Sequence, residues 1–197
     1  MNYLAHAYLS FSKPSIVVGN MISDFVKGKK KFDYSPAVQN GIMLHRMIDA
    51  FTDEHPVTKE AKSIFKPYAG LYAGAFMDVV YDHFLATDQQ EFPQNSLAEF
   101  SQNTYQILYR YTGILPDRFA AMLPYMKSQD WLYNYSNTDG TEKSFAGLVR
   151  RAAYLNSSQA VFEAFLRNYD ELKEYYQAFF PSVKTYAFTQ LSSFTEV

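Results

Sequence analysis

The 197-residue chain has no cysteine, so disulfide staples, thiolate metal sites and a cysteine nucleophile are excluded. It has almost no excess of one charge. Its 18 Lys+Arg stand against 20 Asp+Glu, a formal net −2, which argues against wrapping nucleic acid by bulk electrostatics. No apolar run approaches the roughly 18 residues that a bilayer span needs, so no membrane role is expected. The start, MNYLAHAYLSFSKPS, lacks a basic segment and is interrupted by His6, Lys13 and Pro14. No secretory signal is read there, and a soluble cytoplasmic protein is the expectation. Low-complexity segments, internal repeats and long linkers are absent too, and the length suits one domain with a real core. A hydrophobic fraction of 48% against 19% charged excludes global disorder. What is abundant is aromatic: 17 Tyr and 17 Phe beside a single Trp.

Apolar residues recur at three- and four-residue spacing rather than in alternation. That predicts helices near 2–10, 15–27, 36–54, 57–66, 69–87, 96–112, 117–128, 142–155, 158–179 and 182–194. The class is all-α, and a compact multi-helix array is the simplest architecture. Ser35 before Pro36 reads as a cap ahead of a first-turn proline. Ser96 and Glu99 read as a capping box. Asn137-Thr-Asp-Gly140 reads as a turn, since Asp-Gly tolerates positive φ. Pro14, Pro56, Pro67, Pro93, Pro116 and Pro181 punctuate the rest. The later tyrosines (Tyr105, Tyr109, Tyr111, Tyr133, Tyr135, Tyr154, Tyr175 and Tyr176) are expected to pack in the core and its shell.

The chemistry concentrates early. All four histidines, His6, His45, His55 and His83, precede residue 84, and aspartates crowd the same region. Asn2/His6, Asn20/Asp24, His45/Asp49, Asp49/Asp53 and Asp78/Asp82 each stand four apart, a spacing that shares one helix face. At roughly 100° per residue, His45 shares its sector with Val38, Gly41, Ile42, Ile48, Asp49 and Thr52. Asp78 falls with Leu71, Gly74, Ala75, Tyr81, Asp82 and Leu85, and Asp24 with Val17, Asn20 and Met21. Three helices therefore carry ionisable groups on faces that otherwise look buried. Unpaired carboxylates there cost several kcal/mol or neutralise, so a cation is expected nearby: Arg46, a lysine or a metal ion. Few basic residues lie in these segments, which favours a divalent metal. Imidazole with carboxylate suits Mn²⁺, Fe²⁺ or Zn²⁺ better than Ca²⁺. Gly41 and Gly74 either leave room for an ion or let two helices approach closely. Asp53 and His55, at a helix end before Pro56, read as capping or surface residues.

Four strings resemble the acyl carrier protein phosphodiesterase family, also called holo-acyl-carrier-protein hydrolase. They are Met1-Asn-Tyr-Leu-Ala-His6, Gly19-Asn-Met-Ile-Ser-Asp24-Phe25, His45-Arg46-Met-Ile-Asp49 with Asp53, and Asp78-Val-Val-Tyr-Asp82-His83-Phe84-Leu85. Trp131-Leu132 and Gly147-Leu-Val-Arg150-Arg151 are later echoes. The resemblance implies an all-helical fold related to the HD-domain metal phosphohydrolases. It implies a divalent cation, Mn²⁺ or Mg²⁺. It also implies hydrolysis of the phosphodiester joining 4′-phosphopantetheine to a serine of acyl carrier protein. Met43 stands where some members carry a further His, and Asp82-His83 inverts the His-Asp order of HD domains.

On that footing His6, Asp24, His45, Asp78 and Asp82 are the expected metal ligands, with Mn²⁺ first and Mg²⁺ or Fe²⁺ as alternatives. Asp49 is expected to orient His45 or bind metal itself. His83 is the candidate proton donor to the departing serine oxygen. Arg46 is the candidate holder of a phosphate oxygen. Acyl carrier protein is acidic, so Lys27, Lys29, Lys30 and Lys31, with Arg150 and Arg151, are the expected docking residues. Two other readings stay open: a metal phosphohydrolase acting on a nucleotide or other small phosphoester, and a non-catalytic helical interaction protein.

Overall fold

The structure, a computed structural model, describes residues 1–194, Asn95 by its backbone alone. Helix makes up 81% of it and no strand occurs among the described residues, so the all-α expectation holds. None of these helices is long and apolar enough to cross a membrane.

Helix α1 (Tyr3–Tyr8) is short and buries Leu4, Ala5, His6 and Ala7. Phe11 and Ser12, both left-handed at φ 49° and 56°, turn the chain into α2 (Pro14–Ile22). Two 3-10 turns, Ser23–Phe25 and the lysine-bearing Gly28–Asp33, lead to α3 (Pro36–Glu54). Ser35 takes the extended cap conformation ahead of Pro36, though its side chain makes no capping bond.

Helices α2 and α3 form the most extensive helix pair, and two glycines explain it. A Cβ on Gly19 would lie 2.1 Å from the Val38 carbonyl oxygen, and one on Gly41 would lie 2.5 Å from that of Ile16. The helices thus cross backbone against backbone, which only residues without a side chain allow. Gly41 serves close approach, the second of its two expected roles. A Cβ on Gly74 would meet nothing but the flexible end of Lys62.

The chain continues through α4 (Pro56–Ala61), α5 (Lys66–Ala69), α6 (Ala73–Thr87), α7 (Ser96–Arg110) and α8 (Asp117–Ser128). Then follow α9 (Trp131–Asn134), α10 (Thr138–Val149), α11 (Gln159–Arg167) and α12 (Tyr169–Ser193). Several boundaries differ from the sequence expectation. Ser96 is already helical at φ −60°, ψ −15°, so it is not the cap of a capping box. Asn137-Thr-Asp-Gly140 is a helix start, not a free turn: the Asn137 side chain accepts from the Gly140 N–H at 2.7 Å. Helix α10 therefore begins and ends earlier than expected. The last two expected helices are divided at Asn168, and α12 runs straight through Pro181. Leu172, Tyr176, Phe179, Phe180, Val183, Ala187 and Leu191 give α12 one buried stripe lying on α3, α4 and α6. That burial outweighs the roughly 3 kcal/mol cost of an interior proline.

The core is aromatic. Tyr81 stacks on Phe179 with centroids 4.8 Å apart, and Phe76 meets Phe145 edge-on at 4.8 Å. Of the later tyrosines, Tyr105, Tyr135 and Tyr176 are buried, whereas Tyr109, Tyr133 and Tyr154 are exposed.

Candidate metal centre

Helix α6 is buried along most of its length and delivers Asp82, fully buried, beneath the start of α1. The Asp82 carboxylate accepts from the N–H groups of Asn2, Leu4 and Ala5 at 3.1, 2.7 and 3.3 Å. The first turn of a helix has unsatisfied donors, and this acid supplies their acceptor from another helix. Asp82 thereby fixes α1, and α1 carries His6 inward.

The α2–α3 crossing places the second imidazole. Asn20 follows Gly19, and His45 lies one turn after Gly41. The close crossing brings the Asn20 carbonyl oxygen to 2.8 Å from His45 Nδ1. His6 and His45 then stack, centroids 3.8 Å apart and 16° from parallel. Asp49 bridges them: its two oxygens lie 3.1 Å from His6 Nε2 and 3.1 Å from His45 Nε2. Asp24, exposed on the Ser23–Phe25 turn, reaches His45 Nε2 at 3.2 Å. One donor atom from each of His6, His45 and Asp49 fits within 4.8 Å of the others.

The electrostatics leave room for a cation. Facing a carbonyl, His45 Nδ1 must donate, so a neutral ring would aim its Nε2 lone pair at two carboxylates. Positive charge has to stand between them, whether a proton or a metal ion. Burial opposes a charged His45, but bonds to Asp24 and Asp49 raise its pKa to about 9. Burial, with the neighbouring His45 charge, drives His6 down to about 4. Burial also works against the Asp49 charge, yet bonds from His45 and His6 hold its carboxyl well below the usual range. The bond from His45 lowers Asp24. Buried His6 Nδ1 has no hydrogen-bond partner, an orphan ring nitrogen at the edge of the cluster. Two imidazoles among carboxylates are a donor set that fits a divalent transition ion.

The other expected site residues lie beside the cluster or away from it, each with partners of its own. Both Asp82 oxygens are occupied by backbone donors, an arrangement that a ligand role would have to break. Burial pushes Asp82 up to about 7, against the pull of the Met1 ammonium and the N–H groups. Asp78 accepts from the Met1 ammonium at 2.8 Å, and that ammonium also lies 3.6 Å from Asp49. Asp78 is raised by burial, and Met1, despite burial, is raised to about 10 by Asp78 and Asp49. His83 points away from the cluster. Its Nδ1 meets the Tyr135 carbonyl and its Nε2 the Tyr169 hydroxyl, both at 2.8 Å, and burial lowers its pKa. Both of its ring nitrogens are thus engaged by groups outside the His6/His45 cluster. Arg46 donates through Nη2 to the Val26 carbonyl at 2.8 Å, tying down the loop before the lysines. Asp53 pairs with Lys62, and His55 closes α3 with its ring edge on Phe179, 5.0 Å between centroids.

Lys27, Lys29 and Lys30 are exposed just after Asp24, while Lys31 is half-buried with Nζ 3.4 Å from Met43 Sδ. Arg150 and Arg151 belong to a different feature, a cavity of about 820 Å³ between α1, α8, α9 and α10. Its walls include Tyr3, Met122, Trp131, Lys143 and Gly147. Sequence reasoning missed this cavity and the role of the Met1 ammonium. The spacing of Lys143, Gly147 and Arg150 along one helix face was a legible signal for the cavity.

A family model described as acyl carrier protein phosphodiesterase matches residues 1–183. The acyl carrier protein phosphodiesterase of Serratia proteamaculans (strain 568) is 33% identical over 184 residues, covering 93% of this chain and 95% of its own length. The proteins of that name from Yersinia pestis and Klebsiella pneumoniae (strain 342) are each 31% identical, over the same 93% and 95%. No solved structure matches the chain. The matched span takes in the His6/His45 cluster and the whole lining of the cavity.

Proposed function

Since the chain belongs to the acyl carrier protein phosphodiesterase family, we propose that it hydrolyses the phosphodiester between 4′-phosphopantetheine and a serine of holo-acyl carrier protein, using a divalent metal. The observation that carries the metal half of this reading is the cluster of His6, His45 and Asp49. Those three, with Asp24 at the open edge, would hold the ion; Mn²⁺ is the metal proposed, with Mg²⁺ and Fe²⁺ as alternatives.

A phosphodiester resists hydrolysis because its negative charge repels nucleophiles and the alkoxide is a poor leaving group. When bound, the metal supplies a Lewis acid that acidifies water and draws charge from the phosphate. The chain's own residues do the rest. Asn20 fixes the His45 ring through its carbonyl, leaving Nε2 committed to the cluster. Asp82 holds α1 and so sets the position of His6. Asp24, the exposed carboxylate, is placed to take a proton from attacking water. Water oxygen bonds to phosphorus as its proton passes to Asp24, the bond from phosphorus to the serine oxygen breaks, and the serine oxygen takes up the proton that Asp24 returns through solvent. Lys27, Lys29, Lys30 and Lys31 supply a basic face for the acidic carrier protein.

The test is conversion of holo- to apo-carrier protein, read by intact mass, with purified full-length chain. Activity is expected to vanish after chelation and return with Mn²⁺. A chain that leaves holo-carrier protein intact with every divalent ion, but cleaves a nucleotide in a parallel panel, refutes the reading.

A further inference from the structure

We propose that the cavity bounded by α1, α8, α9 and α10 receives the pantetheine arm of the carrier protein, its phosphate end lying at Tyr3 and Arg151. This rests on the carrier-protein reading above. The first argument is position. Tyr3 forms part of the cavity wall and stands three residues before His6 on the same short helix. Asn2, also on the wall, has its N–H on Asp82. Cavity and cluster therefore share α1, and a linear substrate with its phosphorus at the cluster has its tail directed into the cavity. The Tyr3 phenol is raised by burial, with Arg151 opposing and Asp24 adding, which fits a ring between that cation and that acid.

The second argument is charge. Lys143, Arg150 and Arg151 all line this one cavity, and none forms an ion pair with an acid of the described residues. Three uncompensated cations around one hollow, in a chain of net −2, are an anion-recognition feature. The third is size and lining. About 820 Å³ falls within the range of small-molecule sites and is far too little for a protein domain. The walls combine apolar faces, Met122 and Trp131, with amide and hydroxyl groups, Asn134 and Ser144. A pantetheine arm carries the same kinds of group: a phosphate, a branched hydrocarbon, a hydroxyl, two amides and a thiol.

The single tryptophan of the chain is in that wall, half-buried, with Nε1 donating to Gln129 at 3.0 Å. Its fluorescence, excited selectively over the tyrosines, reports on the cavity wall. Free 4′-phosphopantetheine is titrated into the full chain with Mn²⁺ present, alongside inorganic phosphate and adenosine monophosphate. The expected result is a saturable change with 4′-phosphopantetheine only, and competitive inhibition of holo-carrier hydrolysis by the same compound. Gly147→Leu projects a side chain into the cavity. A Cβ there meets only the Arg150 guanidinium, at 3.5 Å, and leucine is the better helix former, so the fold is retained. It is expected to weaken 4′-phosphopantetheine binding about tenfold or more, and Lys143→Glu to do likewise. If wild-type chain hydrolyses holo-carrier protein but Trp131 is silent to 4′-phosphopantetheine, or phosphate alone reproduces the change, the cavity proposal is overturned and the function stands. If wild-type chain does not hydrolyse holo-carrier protein, both fall.

Discussion

His6 and His45 lie face to face, 3.8 Å between ring centroids, with both Nε2 atoms 3.1 Å from the carboxylate of Asp49. Among the described residues Asp49 is thus the one acid paired with both rings. Replacing it removes one of the two counter-charges, Asp24 being the other, that let His45 carry a proton or share a metal. Asp49→Asn keeps the shape and is expected to lower metal affinity about 10–100-fold and hydrolysis by at least about 100-fold. Calorimetric Mn²⁺ titration and the mass assay check it, with helical circular dichroism unchanged. Full activity in this variant excludes the cluster as the metal centre.

The crossing of α2 and α3 makes a prediction about stability. Gly19→Ala puts a methyl 2.1 Å from the Val38 carbonyl oxygen, so the helices must separate. The expected cost is about 2–3 kcal/mol, with loss of activity because the Asn20–His45 bond opens. Gly74→Ala, at a half-buried position of α6, meets only a lysine tip and is expected to be neutral or stabilising by up to about 1 kcal/mol. Urea unfolding of the two variants separates close approach from simple helix propensity.

That crossing also shows what was legible in the sequence. Asn20, Gly41 and His45 announced a buried polar feature, and α3 follows its predicted bounds at both ends because Pro36 and Pro56 bracket it. Pro181 misled, since its local cost is real and only the tertiary burial of the α12 stripe overrides it. Asp82 was legible only in part. Its spacing from Asp78 suggested a paired ligand, but no periodicity reveals that an acid will accept from the backbone of a helix eighty residues earlier. One wall of the cavity was legible in the spacing of Lys143, Gly147 and Arg150, but the hollow itself comes from the packing of four helices, which no spacing gives.

The anchoring of α1 can be separated from ligation. Asp82→Ala leaves the N–H groups of Asn2, Leu4 and Ala5 without their acceptor. The expected loss is about 3 kcal/mol, or roughly 6–12 °C in Tm for a chain of this size. Activity falls with it through the displaced His6. The same variant in the metal-free protein tests the assignment: an anchor destabilises it, whereas a pure ligand leaves its Tm unchanged or raised.

His83 offers the converse case. Its ring joins α6 to Tyr135, Thr141 and Tyr169, and its nitrogens are engaged away from the cluster. His83→Ala is expected to cost about 2–4 kcal/mol through unpaired buried groups and a cavity, with kcat within about threefold of wild type below its Tm. A loss of kcat beyond about 100-fold in a folded variant restores His83 as a proton donor.

The lysine segment is exposed at Lys27, Lys29 and Lys30, so reversing its charge disturbs no packing. Lys31 is left intact because its Nζ sits at Met43 and over Phe32. If the acidic carrier protein docks here, Lys27→Glu, Lys29→Glu and Lys30→Glu together raise KM about tenfold or more, while kcat stays within about twofold. Raising the salt concentration weakens wild-type KM more steeply than that of the triple variant, because fewer cross-interface charges remain to be screened. An unchanged KM moves the docking face away from this turn and leaves the cavity-side arginines, Arg150 and Arg151, as the basic contacts to examine.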